Sequence, residues 1–172
     1  MITISNQIIS AEVSTTGAEV QSIKGCQTGR EYMWNGDEKW WHGHSPILFP
    51  IVGGMWNGTC RIDGQEVQIP KHGIVRRATW VVDEVKADSV TMSINSTVAS
   101  FKIFPFAYHL SVTYSLQGRK LVERWVEQAD VHVAAIHSLQ DSVEVSLLIW
   151  EELGKSLLAT LNTFSYVALP EK

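Results

Sequence analysis

The sequence has no long apolar run, and its cysteines are few. Its apolar stretches are shorter than the about 20 residues of a membrane-spanning helix, and its first residues lack the basic and apolar regions of a secretory signal. We therefore expect no membrane contact. The two cysteines, Cys26 and Cys60, form neither a disulfide framework nor a metal-binding spacing. We expect both to be free thiols of a cytoplasmic protein.

An excess of positive charge is also lacking, and this argues against a nucleic-acid partner. The chain has 14 Lys and Arg against 18 Asp and Glu, a net charge of −4, and Arg76 and Arg77 belong to no larger basic cluster. Because nucleic-acid binding depends on cations that neutralise phosphates, we expect none here. Hydrophobic residues make up 45% and charged residues 19% of the 172 positions, which is typical of one globular domain.

Period-two alternation and turn signals predict an all-β fold. Apolar and polar residues alternate over 18–23 and 109–116, which indicates strands with one buried face. Asn-Gly at 35–36 and Asp-Gly at 63–64 are signals of tight turns. Many short strands with no helix between them are typical of a β-sandwich or barrel.

The pattern changes after residue 126. Apolar residues between 143 and 161 recur at gaps of three or four, which favours an amphipathic helix. We therefore divide the chain into residues 1–126, a sandwich part, and residues 127–172, a divergent tail with a helix. A sandwich that ends here would leave open strand edges, so we also expect self-association.

Three segments, in this order, carry a resemblance to a known family. They read Tyr-Met-Trp-Asn-Gly-Asp at 32–37, Ser-Pro-Ile-Leu-Phe-Pro-Ile-Val-Gly at 45–53 and Pro-Lys-His-Gly-Ile-Val-Arg at 70–76. Together they resemble the aldose 1-epimerases, the galactose mutarotase-like proteins, over roughly residues 1–122. The resemblance implies a galactose mutarotase-like β-sandwich, incomplete in this sequence.

The resemblance also implies a reaction and its ligands. Mutarotation opens a cyclic aldose at the anomeric carbon and recloses it on the other face, which needs a base and an acid. In this family the acid is a His, the base is a Glu, and no metal or organic cofactor is used. His72 matches the family's sugar-contacting His, and Arg76 matches the Arg that follows it. We expect both to bind a monosaccharide or a sugar phosphate.

The catalytic pair of the family has no match here. Its acid His stands in a Gly-His-Pro type of motif after the strand that contains Val112, whereas His132 and His137 lie in other surroundings and no His precedes a Pro. No segment matches that of the base Glu. We therefore assign no catalytic residue and expect an impaired isomerase. The alternatives are a non-catalytic carbohydrate-binding module and a truncated or frame-altered remnant.

Residue chemistry alone leaves other interpretations open. His72 and Arg76 could be solvated surface residues. His42 and His44, two apart on a strand, could bind zinc with His72 or Cys60, although this spacing defines no complete ligand set. Four tryptophans close together could stack on a sugar ring or fill the edge of a core. They are Trp34, Trp40, Trp41 and Trp56.

Overall fold

The structure is a computed structural model that describes residues 1–62, 64–129 and 143–148. Over these residues the predicted all-β fold is confirmed, with one helical turn and one 3₁₀ turn. None of their helices is long and apolar enough to cross a membrane. The elements are β1 (Ile2–Ser5), β2 (Ile9–Val13), β3 (Val20–Gly25), a 3₁₀ turn (Trp56–Gly58), β4 (Cys60–Ile62), β5 (Gln65–Val67), β6 (Val81–Val85), β7 (Ser89–Asn95), α1 (Val98–Phe101), β8 (Tyr108–Gln117), β9 (Lys120–Ala129) and β10 (Val143–Leu148).

The described strands form three antiparallel sheets. Their orders are β1-β2-β3, β4-β5 and β10-β9-β8-β7-β6. Strand β1 lies against β7 and β8, and the Ser5 N–H donates to the Ala87 carbonyl at 2.7 Å. A bridge between Thr16 and Thr79 makes a second connection. The two larger sheets therefore share one apolar core.

Strict alternation along β8 builds the centre of this core. Its inward residues, among them Leu110, Val112 and Tyr114, are buried, whereas the residues between them are only half-buried. Val112 lies opposite Met92 of β7, which is also fully buried. The Tyr114 hydroxyl donates to the Ala18 carbonyl at 2.8 Å and so ties β8 to the turn before β3. Burying each such side chain stabilises the fold by about 1.5–3 kcal/mol.

Strand β9 places a carboxylate on the same inner face, and no pattern in the sequence predicted it. Glu123 lies opposite Tyr114, and Trp125 lies opposite Val112. The Trp125 indole N–H donates to the Glu123 carboxylate at 2.5 Å, and its ring packs edge-on against Trp80 at 6.2 Å between centroids. Burial raises the pKa of Glu123 to about 7, although the bond from Trp125 lowers it. This face is therefore ionisable near neutral pH.

The first residues of the predicted C-terminal helix form a strand instead. Strand β10 pairs antiparallel with β9, with Val143 opposite Trp125 and Leu148 opposite Lys120. The sequence Val-Glu-Val-Ser-Leu at 143–147 alternates with period two, and pairing with β9 satisfies its backbone groups in a sheet. Residues 149–161 of that predicted helix lie outside the described residues. The boundary at residue 126 stays a prediction.

Candidate functional site

The two motif segments at 45–53 and 70–76 lie side by side, and we call them the paired loops. Phe49 and Gly73 form a parallel bridge, and the Ile74 N–H donates to the Phe49 carbonyl at 2.8 Å. The His72 N–H donates to the Gly53 carbonyl at 2.7 Å. The peptide bond between Phe49 and Pro50 is cis. Segments recognised separately in the sequence are thus one structural unit.

Gly73 allows the two loops to come this close. Its φ is +77°, a left-handed conformation that L side chains rarely adopt. A Cβ atom at this position would lie 1.8 Å from the Phe49 carbonyl oxygen. Only glycine fits between the loops, which gives the His-Gly motif its physical reason.

His72 is held in a left-handed conformation by the same contacts. Its φ is +70°, which costs an L residue about 1–2 kcal/mol. The Gly73 N–H donates to the Pro70 carbonyl at 2.8 Å, and the Gly53 N–H donates to Nδ1 of His72 at 3.0 Å. Because Nδ1 accepts a hydrogen bond, a neutral imidazole here carries its proton on Nε2.

The electrostatic surroundings of His72 favour this neutral form. Partial burial lowers its pKa below the ordinary value of 6.5, and the nearby charges of Arg76 and Lys71 lower it further. At neutral pH the side chain is therefore an Nε2–H donor rather than a cation.

The backbone of Arg76 lies close to Gly17, in the turn between β2 and β3. A Cβ atom on Gly17 would lie 2.5 Å from the Arg76 carbonyl oxygen, and the Gly17 N–H donates to the Ala78 carbonyl at 2.8 Å. The Arg76 side chain is half-buried, and no carboxylate of the described residues forms an ion pair with it. The charge of Arg76 acts on His72, so the structure brings the two residues into one neighbourhood.

An open groove of about 590 Å³ runs beside the paired loops. The residues that line it include Gly54, Met55, Pro70, Lys71 and Ile103. Its volume falls within the about 300–1,000 Å³ of small-molecule sites. Lys71 precedes His72 in the motif, and no feature of the sequence distinguished it as a candidate.

The four tryptophans divide into two kinds. Trp34 and Trp41 are half-buried, and the Trp34 indole N–H donates to the Trp41 carbonyl at 2.7 Å. Trp40 is 72% and Trp56 is 89% exposed, and Nζ of Lys39 lies 5.2 Å from the centre of the Trp40 ring. Two rings therefore serve packing, and two are presented to solvent.

The zinc interpretation of His42 and His44 finds no complete ligand set in the described part of the chain. His42 is exposed, whereas His44 is half-buried and its backbone N–H donates to the Glu19 carboxylate at 2.7 Å. No three potential metal ligands come together among residues 1–62, 64–129 and 143–148. His42 and His44 therefore lack a third potential ligand in the described part of the chain.

This chain is similar to known proteins in sequence and, for two of them, in structure. "Protein LacX, plasmid" of Lactococcus lactis subsp. lactis is 33% identical over 125 residues, which are 70% of this chain and 42% of that protein. A galactose mutarotase-like protein from Lactobacillus casei is 33% identical with a TM-score of 0.73, over 76% of this chain and 45% of that one. A galactose mutarotase related enzyme from Lactobacillus acidophilus is 32% identical with a TM-score of 0.72, over 76% and 43%.

This chain spans less than half the length of these relatives. The family model for aldose 1-epimerase matches residues 1–131, which include both of the paired loops. Sequence pattern, fold and family model agree, and the chain belongs to the aldose 1-epimerase family.

Proposed function

We propose that this chain binds an aldose sugar at the paired loops, with His72 and Arg76 as its ligands. The observation that carries the proposal is the fixed His-Gly turn. There the Gly53 N–H donates to Nδ1 of His72, so the Nε2–H of the same ring is left to donate to a ligand. Sugar hydroxyls both accept and donate hydrogen bonds, and an arginine adds up to five N–H donors. Family membership supports an aldose as the ligand.

Two cations favour a phosphorylated sugar over a free one. Lys71 and Arg76 both act electrostatically on His72, and Lys71 lines the adjacent groove. Charge-assisted hydrogen bonds from such groups to phosphate are stronger than those to a neutral hydroxyl. We therefore expect an aldose 6-phosphate to bind more tightly than the same aldose.

We further propose that mutarotation by this chain is weak. The family's acid His follows the strand that contains Val112, and in that region His132 and His137 are not followed by proline. General acid–base catalysis contributes about 10²–10⁴-fold to a rate, so an unmatched acid has a large effect. A polarimetric assay of α-glucose and α-galactose tests this, and rapid conversion well above the buffer rate would contradict it.

Calorimetric titration with aldoses and their 6-phosphates tests the binding site. His72→Ala and Arg76→Ala should each weaken binding roughly tenfold or more, since hydrogen bonds from charged or polarised donors contribute measurably. Arg77→Ala, which removes the exposed neighbouring cation, is the matched control and should change affinity little. Binding that survives both substitutions unchanged would refute the site, and no binding at all would favour the remnant over the binding module.

We also propose that the chain self-associates through strand β6. This strand lies at one edge of the described five-stranded sheet and exposes Val81, Val82 and Val85. Open apolar edges pair with other chains, and a lysine on the edge opposes this. Light scattering should therefore report a larger species for the unmodified chain than for Val82→Lys, and a monomer in both cases would contradict the proposal.

The cytoplasm is the compartment that we propose. Cys26 is exposed and Cys60 is half-buried, and both are free thiols. Such thiols persist in a reducing compartment. Fractionation of cells that produce the chain would test it, and recovery from an oxidising compartment would contradict it.

A further inference from the structure

His72 and Gly53 exchange two hydrogen bonds, and one of them uses the imidazole. The His72 backbone N–H donates to the Gly53 carbonyl at 2.7 Å, and the Gly53 N–H donates to Nδ1 of His72 at 3.0 Å. We call this pair of bonds the clasp. The other bonds between the two loops are backbone to backbone, so the clasp is the point at which a side chain controls the loop geometry.

Both residues of the clasp have left-handed backbones. The φ of Gly53 is +80° and that of His72 is +70°, and Gly73 continues the left-handed turn at +77°. A strained conformation at a residue other than glycine persists where its surroundings over-determine it, and such residues cluster at ligand sites. At His72 the left-handed backbone is held in part by the residue's own side chain, because Nδ1 accepts a hydrogen bond from the Gly53 N–H.

We infer that His72 is a positioning residue as well as a sugar ligand: its unprotonated Nδ1 holds the turn at Gly53, and a proton on Nδ1 releases it. A protonated Nδ1 would face the Gly53 N–H as a second donor, so the bond is lost. The neutral tautomer with its proton on Nε2 alone permits both the clasp and donation to a ligand. The part about sugar rests on the proposed function, whereas the clasp itself does not.

Partial burial and the charges around the imidazole together set the pH range of the clasp. The groups whose charges act on His72 are Lys71 and Arg76, both cations on its own loop. The segment that faces it, residues 49–54, contains no titratable side chain. Burial and these two cations oppose the imidazolium form, so the clasp is closed at neutral pH and opens only below the ordinary histidine pKa of 6.5.

Two substitutions separate the two functions of the ring. In His72→Asn the amide oxygen takes the place of Nδ1 and can accept from Gly53, asparagine tolerates the left-handed backbone, and the distal donor is absent. In His72→Gln the amide nitrogen reaches the place of Nε2, and the proximal acceptor is absent. Neither amide titrates over the range in which histidine does.

Amide hydrogen exchange of Gly53, followed by NMR on the full chain and corrected for the intrinsic pH dependence, is the primary test. Protection in the unmodified chain should fall roughly fivefold or more as the pH decreases through the His72 titration. The Asn variant should keep its protection without that pH dependence, and the Gln variant should have little at any pH. The inference would be overturned by equal protection in the Gln variant and the unmodified chain, or by protection in the unmodified chain that does not change with pH.

Nitrogen NMR of the His72 ring needs no variant and covers the case in which one fails to fold. The expected neutral form is the Nε2–H tautomer, and an Nδ1–H tautomer would overturn the clasp. Titration with an aldose 6-phosphate separates the two proposals. If Gly53 follows the predicted pattern but no sugar binds, the clasp stands and the proposed function fails. If sugar binds but the protection of the Gly53 amide does not depend on the protonation of His72, the clasp alone fails.

Discussion

The paired loops and the β7–β8 part of the large sheet are held together in different ways. In the sheet, Met92 and Val112 are set by which face they occupy, and their apolar volume stabilises the core. In the loops, His72 and Gly73 have left-handed backbones, and the Phe49 carbonyl leaves no room for a Cβ atom at Gly73. The sheet accepts residues of similar volume, whereas the loops require particular residues.

The largest expected effect comes from adding one methyl group to the loops. Gly73→Ala places a Cβ atom against the Phe49 carbonyl in a left-handed backbone, so the loops must separate. We expect a loss of about 4 kcal/mol in the free energy of unfolding, measured by urea denaturation. Gly118→Ala is the matched control, because its φ is +60° but nothing lies near the added atom, and it should cost about 1 kcal/mol. Equal losses would show that the contact with Phe49 does not matter.

A cavity in the sheet should have a somewhat smaller effect. Met92→Ala removes a fully buried side chain from the inner face of β7 and should cost about 3 kcal/mol. Thr113→Ala lies on the outer face of β8 and removes the hydroxyl contact with Thr91, so it should cost about 1 kcal/mol or less. Thermal unfolding of both variants distinguishes the faces. A more destabilising change at Thr113 would mean that the outer face holds the sheet.

Glu123 is the place where the sheet departs from its apolar pattern, and its charge opposes folding. Its pKa is about 7 in the folded state against an ordinary 4.5, so stability is lost as the pH rises between these values. Glu123→Gln removes this charge and should stabilise the chain by about 2 kcal/mol at alkaline pH, with the gain vanishing toward pH 4. The gain is smaller than the full pKa shift implies, because the residue is half-buried and solvent screens its charge. The control is Glu66→Gln on the surface. A gain independent of pH would contradict the explanation.

The pKa of Glu31, just before the motif at 32–37, is shifted in the opposite direction from that of Glu123. Burial raises the pKa of this carboxyl, but hydrogen bonds from the Ser22 hydroxyl and the Met33 and Ile23 N–H groups, with Lys24 nearby, lower it overall below 4.5. Its stabilisation is therefore complete above 4.5 and is lost as the pH falls through the folded pKa.

The corresponding variant, Glu31→Gln, should cost about 1.5 kcal/mol at neutral pH and less in acid. Urea denaturation at several pH values measures this. A cost that increases as the pH falls would reverse the assigned sign.

The sequence predicted the sheet better than the loops because the two kinds of region leave different traces. Alternation along 109–116 predicted β8, since burial on one face repeats every second residue. Nothing local indicated that His72 is left-handed, because the cause is Gly53, far away in the chain. The contacts of Glu123 and Trp125 were also missed, because local alternation does not show that Trp80, far away in the chain, packs against Trp125. The paired loops were found only through their resemblance to a family.

The most direct test of the account is an NMR titration of the labelled chain with an aldose 6-phosphate. We expect the largest amide shifts at Gly53, His72, Gly73 and Arg76, with small shifts at Met92 and Val112 in the sheet. That result would locate the ligand on the paired loops. Shifts concentrated in β7 and β8, or a saturating titration that leaves the paired loops unmoved, would contradict the central claim.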